Sequence, residues 1–215
     1  MMKFLLSALL LFTIVIEAQI PGEVFFGDKK ATVDVLFFKP FRDSEGQNSD
    51  WVLFNRGKIT LDYKMTPDAN KPFFVAMQAI SYNPAALGGF GPVAVSLITN
   101  DGMYPKLGMQ YVKFSDDFMF FGWLICETLK DPDLDLYLYA KYTPLISGKT
   151  RLFAQIEANS AFPAWAGGEP SLFQCLRLGL KWDGFQTGIG LDLTQKGKGE
   201  LKTTENTGLF VRYEF

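Results

Sequence analysis

The sequence predicts an all-β fold, an antiparallel barrel whose strands cross a membrane. Three observations carry that expectation. From residue 51 onward the 215-residue chain divides into ten units separated by turn-forming residues, each close to the roughly 9–11 residues of a tilted membrane strand rather than the five or six of a soluble one. Within several units apolar and polar side chains alternate with the period of two that puts one set on each face of a strand. Aromatic residues gather near unit ends, as they do at bilayer interfaces.

Taken in order, the first eighteen residues read as a cleaved signal peptide: Lys3 supplies the positive start, Phe4 to Ile16 is apolar except for Ser7 and Thr13, and Ile16-Glu17-Ala18 ends on a small residue before Gln19. The apolar run is shorter than the about 20 residues of a membrane span, and no Cys lies near the cut to take a lipid. Residues 19–50 form an N-terminal segment in which Val33, Val35 and Phe37 alternate weakly against Thr32, Asp34 and Phe38.

The barrel is assigned to residues 51–215, with units at 51–64, 73–82, 90–99, 104–114, 118–128, 133–143, 150–159, 171–182, 185–195 and 206–215. Pro67-Asp68-Ala69-Asn70, Asn83-Pro84, Asn100-Asp101-Gly102, Ser115-Asp116-Asp117, Asp131-Pro132-Asp133, Ser147-Gly148-Lys149, Gly167-Gly168-Glu169-Pro170 and Asp183-Gly184 separate them, all turn chemistries. Ile59, Leu61, Tyr63 and Met65 oppose Lys58, Thr60, Asp62 and Lys64; Leu176, Leu178, Leu180 and Trp182 oppose Arg177, Gly179 and Lys181. Phe185, Ile189, Leu191 and Leu193 oppose Gln186, Gly188, Gly190 and Asp192. The unit 118–128 is apolar on both faces, but Phe-Met-Phe-Phe-Gly-Trp is a poor helix former. The aromatics at unit ends are Trp51, Tyr63, Tyr82, Phe90, Tyr104, Phe114, Phe118, Tyr142, Trp182, Phe185 and Tyr213.

The chain ends Leu209-Phe210-Val211-Arg212-Tyr213-Glu214-Phe215, with a terminal Phe and apolar residues at every second position before it. This resembles the closing strand of bacterial outer-membrane β-barrels, and the wider chain resembles their small porin-like members. The resemblance implies that Leu209, Val211, Tyr213 and Phe215 are an assembly signal read by the barrel-assembly machinery. It also implies export to the outer membrane of a Gram-negative cell, with both termini periplasmic and lipid as a partner. Such barrels have even strand numbers, short periplasmic turns and longer outer loops. Ten strands from residue 51 place 115–117 and 183–184 on the periplasmic side and 160–170 and 196–205 outside. Residues 19–50 are then periplasmic or lumenal, or Glu23–Phe26 pairs with Ala31–Phe38 to make twelve strands, the alternative count.

Chemistry is sparse. The sequence holds no histidine, which removes His-dependent triads and His-ligated metals, and a net charge of −2 gives no reason to expect nucleic acid. Ser147-Gly148-Lys149-Thr150 ends like a phosphate loop, but Thr143 stands where the first Gly is needed. Gly188 and Gly190 lack the third glycine of a dinucleotide fingerprint; small residues on a lumen face account for them better. Asp131, Asp133 and Asp135 begin like a calcium loop, but Leu136 and Tyr142 replace its Gly and Glu. No catalytic residue, metal site or cofactor is expected. Asp62, Asp135, Glu157 and Glu214 could formally supply a carboxylate dyad, yet Lys64, Lys113, Lys141, Arg177, Lys181 and Arg212 share the same polar faces. All ten are expected to face the lumen and pair across it. Cys126 and Cys175 are expected to face inward too far apart to bond.

The function expected is a porin-like barrel that is not an enzyme, passing small solutes or acting as a closed structural or binding barrel. In a conducting barrel, Arg177 and Lys181 would set ion selectivity. The alternative is an exported soluble β-barrel binding an apolar ligand.

Overall fold

The computed structural model describes residues 20–64, 72–129, 132–164 and 167–215; the expected signal peptide and Asp131 lie outside them. The described strands are β1 (Pro21–Gly27), β2 (Lys30–Arg42), β3 (Asn48–Asp62), β4 (Phe73–Tyr82), β5 (Phe90–Thr99), β6 (Gly102–Phe114), β7 (Phe118–Glu127), β8 (Asp133–Tyr142), β9 (Leu145–Ser147), β10 (Thr150–Pro163), β11 (Ser171–Trp182), β12 (Phe185–Lys196) and β13 (Lys202–Glu214). Consecutive strands pair antiparallel, β8 pairs directly with β10, and β1 pairs with β13, so twelve strands close into a ring. Closure leaves no edge strand. The short β9 lies against the start of β10 through Thr150↔Ser147.

The count is therefore twelve, the alternative in which Glu23–Phe26 pairs with the Ala31–Phe38 segment, rather than ten, and the wall begins at Pro21 rather than residue 51. β1 is held on both sides, by Glu23↔Arg212 to β13 and Glu23↔Asp34 to β2. The two outer loops are also shorter than expected. Residues 160–163 continue β10 as far as Pro163↔Asp133, and Lys202–Glu205 pair with the end of β12. These strand ends carry little apolar alternation, so their pairing left no mark in the hydropathy pattern.

Ile20 and the C-terminal Phe215 sit at one end of the barrel. The strand ends that flank 43–47, 83–89, 115–117, 143–149 and 183–184 lie at that end, and those that flank 28–29, 63–72, 100–101, 128–132, 164–170 and 197–201 lie at the other. Asp183 adopts a left-handed backbone, φ 49°, as tight hairpin turns require.

Alternation divides every strand between two surroundings. Phe25, Phe153 and Phe210 point inward and are 0% exposed, whereas Leu178 (51%), Ile189 (59%) and Leu209 (62%) point outward. Of the aromatics at strand ends, Trp51, Tyr82, Phe90, Phe118, Tyr142, Trp182, Phe185 and Tyr213 form an outward girdle at the terminal end. Trp51 packs on Tyr82 and Tyr213 on Phe215. Phe114 turns instead toward the lumen mouth and packs on Phe38.

Candidate functional site

The inward residues make the lumen the candidate site. A circular ring of twelve strands spaced about 4.8 Å and tilted about 40° is roughly 24 Å across. Phe38 on β2 and Phe121 on β7 have ring centroids 4.8 Å apart, and Phe38 lies 6.4 Å from Tyr139 on β8, halfway round the ring. Phenylalanine side chains cannot meet across so wide a circle, so the barrel is flattened.

One half of the lumen is aromatic. Phe54 stacks on Phe121 at 5.5 Å with rings 3° from parallel, and Trp123 meets both edge-on. Met77, Ala79, Val93, Val95, Ile125, Tyr137 and Tyr139 complete this core, which fills space that an open pore would leave to water. Edge-to-face geometry adds to burial because positive ring edges meet negative faces.

The other half is charged. Arg177 Nε donates to Glu23 Oε1 at 2.9 Å and its Nη1 to Asp192 Oδ1 at 2.7 Å. Arg212 donates through Nε and Nη2 to Glu23 Oε2, and through Nη1 to Gln155 Oε1 at 2.7 Å, which also accepts from the Tyr139 hydroxyl. Both guanidinium groups lie over rings, Arg177 4.0 Å from the Phe25 centroid and Arg212 4.9 Å from that of Phe153. Gly190 makes room for this packing: a Cβ there would fall 2.8 Å from Phe25 and 2.9 Å from Arg177 Cδ. Charges so deeply buried are tolerated only when paired and hydrogen-bonded.

The halves meet at Arg56. Its Nε donates to Asp34 at 3.1 Å, and Nη1 and Nη2 donate to Glu157 Oε1 and Oε2, the latter at 3.2 Å. Arg56 is on β3 and Glu157 on β10, six strands apart either way round the ring. This pair spans the waist of the barrel, and a cavity lies on each side of it. The cavity at the terminal end has a volume of about 340 Å³ and is bordered by Glu23, Phe38, Tyr139, Lys141, Lys181 and Arg212. The cavity at the opposite end, about 430 Å³, is bordered by Lys30, Lys58, Val75, Leu97, Trp123 and Phe173. Arg56, Tyr137 and Glu157 floor the second cavity, and no residue borders both.

Of the ten charged residues read as lumenal, Asp135, Lys141, Glu157, Arg177, Lys181, Arg212 and Glu214 point inward. Lys106 bridges Asp133 and Asp135, and Lys181 bonds Glu214, which also lies 4.0 Å from Lys141. Asp62 sits at the inner rim, where its carboxylate accepts the Lys64 backbone N–H. Lys64 and Lys113 depart from the reading. Lys64 lies past the end of β3 and is exposed, and Lys113 lies on the outer face near the terminal end, where a lysine stem can follow the wall while its ammonium reaches water. Cys126 likewise faces outward, while Cys175 is buried inside; both are free thiols. Arg177 borders neither cavity, its Nε bonding Glu23 and its Nη1 bonding Asp192 and the Leu176 carbonyl. Sequence reading missed Glu23, Asp34, Arg56 and Lys106. Arg56 shares the parity of Lys58 and Thr60 and was recoverable from it; Glu23 lay in a segment without clear alternation.

The outer surface is apolar around the whole ring, with Leu107, Leu136, Ile156, Leu176, Ile189 and Leu209 all more than a third exposed. Soluble monomers rarely expose patches beyond a few hundred Å², and such a belt is what hydrocarbon covers. No protein-family model matches the chain, and no curated protein matches it. The fold is that of the porin-type outer-membrane barrels. The NanC porin, solved in a rhombohedral crystal form, superposes with a TM-score of 0.52 at 10% identity, over 92% of this chain and 99% of that one. The KdgM porin gives 0.47 at 12% identity, over 91% and 98%.

Proposed function

We propose that the protein is an exported outer-membrane barrel that is closed across its waist and binds small solutes in its lumen rather than conducting them freely. The observation that carries this reading is the Arg56–Glu157 pair, which joins opposite walls at mid-height while the aromatic half packs beside it. Small-solute passage would require that pair to part and Phe38 to leave Phe121. The continuous apolar outer face and the terminal-end aromatic girdle support a lipid partner over the soluble-barrel alternative. Leu209, Val211, Tyr213 and Phe215 share the outward face of the closing strand, the position in which the assembly machinery would read them.

Cell fractionation with heat-dependent gel mobility tests the membrane part. The expected result is recovery in the outer-membrane fraction with a faster-migrating unheated band. Recovery of folded protein in the periplasmic soluble fraction would overturn it.

A further inference from the structure

The cavity opposite the termini has two unlike walls. Val75, Met77, Leu97, Trp123 and Ile125, from β4, β5 and β7, make one side apolar. Four cations border the cavity: Lys30, Arg56, Lys58 and Lys106. Arg56 is neutralised by Asp34 and Glu157, and Lys106 by Asp133 and Asp135. The remaining bordering carboxylate, Asp192, is taken by Arg177. Lys58 instead reaches across to Phe173, its Nζ 4.2 Å from the ring centroid. In the β2–β3 register Lys58 stands opposite Asp34 and Lys30 opposite Asp62, but neither ammonium group forms an ion pair with a carboxylate among the described residues: Asp34 is taken by Arg56, and Asp62 accepts the Lys64 backbone N–H. Two ammonium groups without a direct ion pair thus stand beside an apolar wall in a cavity of about 430 Å³, within the roughly 300–1,000 Å³ of small-molecule sites.

We propose that this cavity binds an apolar monocarboxylate, its head between Lys30 and Lys58 and its hydrocarbon against Val75, Met77, Leu97 and Trp123. The inference deepens the binding reading above and uses the closed waist as the floor of the site. A carboxylate gives both ammonium groups the direct charge-assisted hydrogen bond that no described side chain supplies. The hydrocarbon replaces water against the apolar wall, so each added methylene should tighten binding about fourfold until the cavity is full. A neutral analogue loses the charge-assisted bonds, and a small dianion without a tail gains nothing from the wall.

The test uses the full mature chain in lipid nanodiscs, titrated with 8-bromooctanoate, whose bromine quenches nearby indoles. Among the described residues Trp123 lies in the cavity wall, whereas Trp51 and Trp182 lie on the outer surface. The expected result is saturable quenching that disappears in Trp123→Phe and weakens about tenfold or more in Lys30→Met/Lys58→Met. On the unaltered protein, which removes any question of folding, 8-bromooctanamide should bind about tenfold or more weaker than the carboxylate. Quenching that rises without saturation and persists in Trp123→Phe is partition into lipid and overturns the proposal. So does saturable binding that does not distinguish carboxylate from amide. A barrel that conducts yet shows carboxylate-selective quenching would overturn the closed waist and leave this site standing.

Discussion

The aromatic and charged halves of the lumen fill comparable space by opposite means. Between β3 and β8, Phe54, Phe121, Trp123 and Tyr137 hold one another through ring contacts, and each loses only its own contacts if a neighbour shrinks. Around β1 and β10–β13, Glu23 serves Arg177 and Arg212 at once, so one deletion strands two charges. The aromatic half should therefore be graded in its response to mutation and the charged half all-or-none, with Arg56 belonging to both.

Arg56→Met should have the largest effect, because it leaves Asp34 and Glu157 buried without their cation; breaking such a pair costs about 3–5 kcal/mol. Urea unfolding of the reconstituted barrel should show that loss, and Arg56→Met/Glu157→Met should recover the share due to Glu157 while Asp34 still lacks Arg56. Equal losses in the single and double variants would break the comparison, since they would mean that the contact acts by packing alone. Phe121→Ala removes the ring shared by Phe38, Phe54 and Trp123, a cost of about 3–5 kcal/mol, whereas Phe121→Leu should fall well short of it. That gradation, read from unfolding midpoints, is what the charged half should lack.

Gly190→Val should cost about 1–3 kcal/mol by overpacking, through the displacement of Arg177 from Phe25; Gly57→Val, on the outer face with open space around it, should cost less. The smallest effect belongs to Lys149→Ala. Its pair with Asp183 is exposed at 73% and 61%, and surface pairs contribute about 0–1 kcal/mol, so the unfolding midpoint should barely move.

The same contrast explains what could be read from the sequence. Strands such as β11 and β12 face charged or small residues inward and large apolar ones outward, so their alternation is plain in the sequence and their ends are placed to within one residue. On the aromatic side the inner face is as apolar as the outer, which erases the alternation. That is why β7 read as apolar on both faces and Cys126 was assigned to the wrong one. In β2, Leu36 and Phe38 join the aromatic core while Phe37 lies on the other face, so the strand looked too weak to count, and β1 lost its partner with it. The inward charges were legible as a class. Their pairing was not, because the Arg56–Glu157 contact depends on ring order and flattening, neither of which leaves a local signature. Lys30 and Lys58 stood out only once the other cations bordering the cavity, Arg56 and Lys106, had been matched to their carboxylates.

The central claim is the closed waist, and single-channel recording in a planar bilayer tests it most directly. After insertion verified by heat-dependent mobility, the unaltered protein should show no steady conductance, while Arg56→Ala/Glu157→Ala/Phe121→Ala should open a measurable ionic current. A stable open level from the unaltered protein would contradict the account.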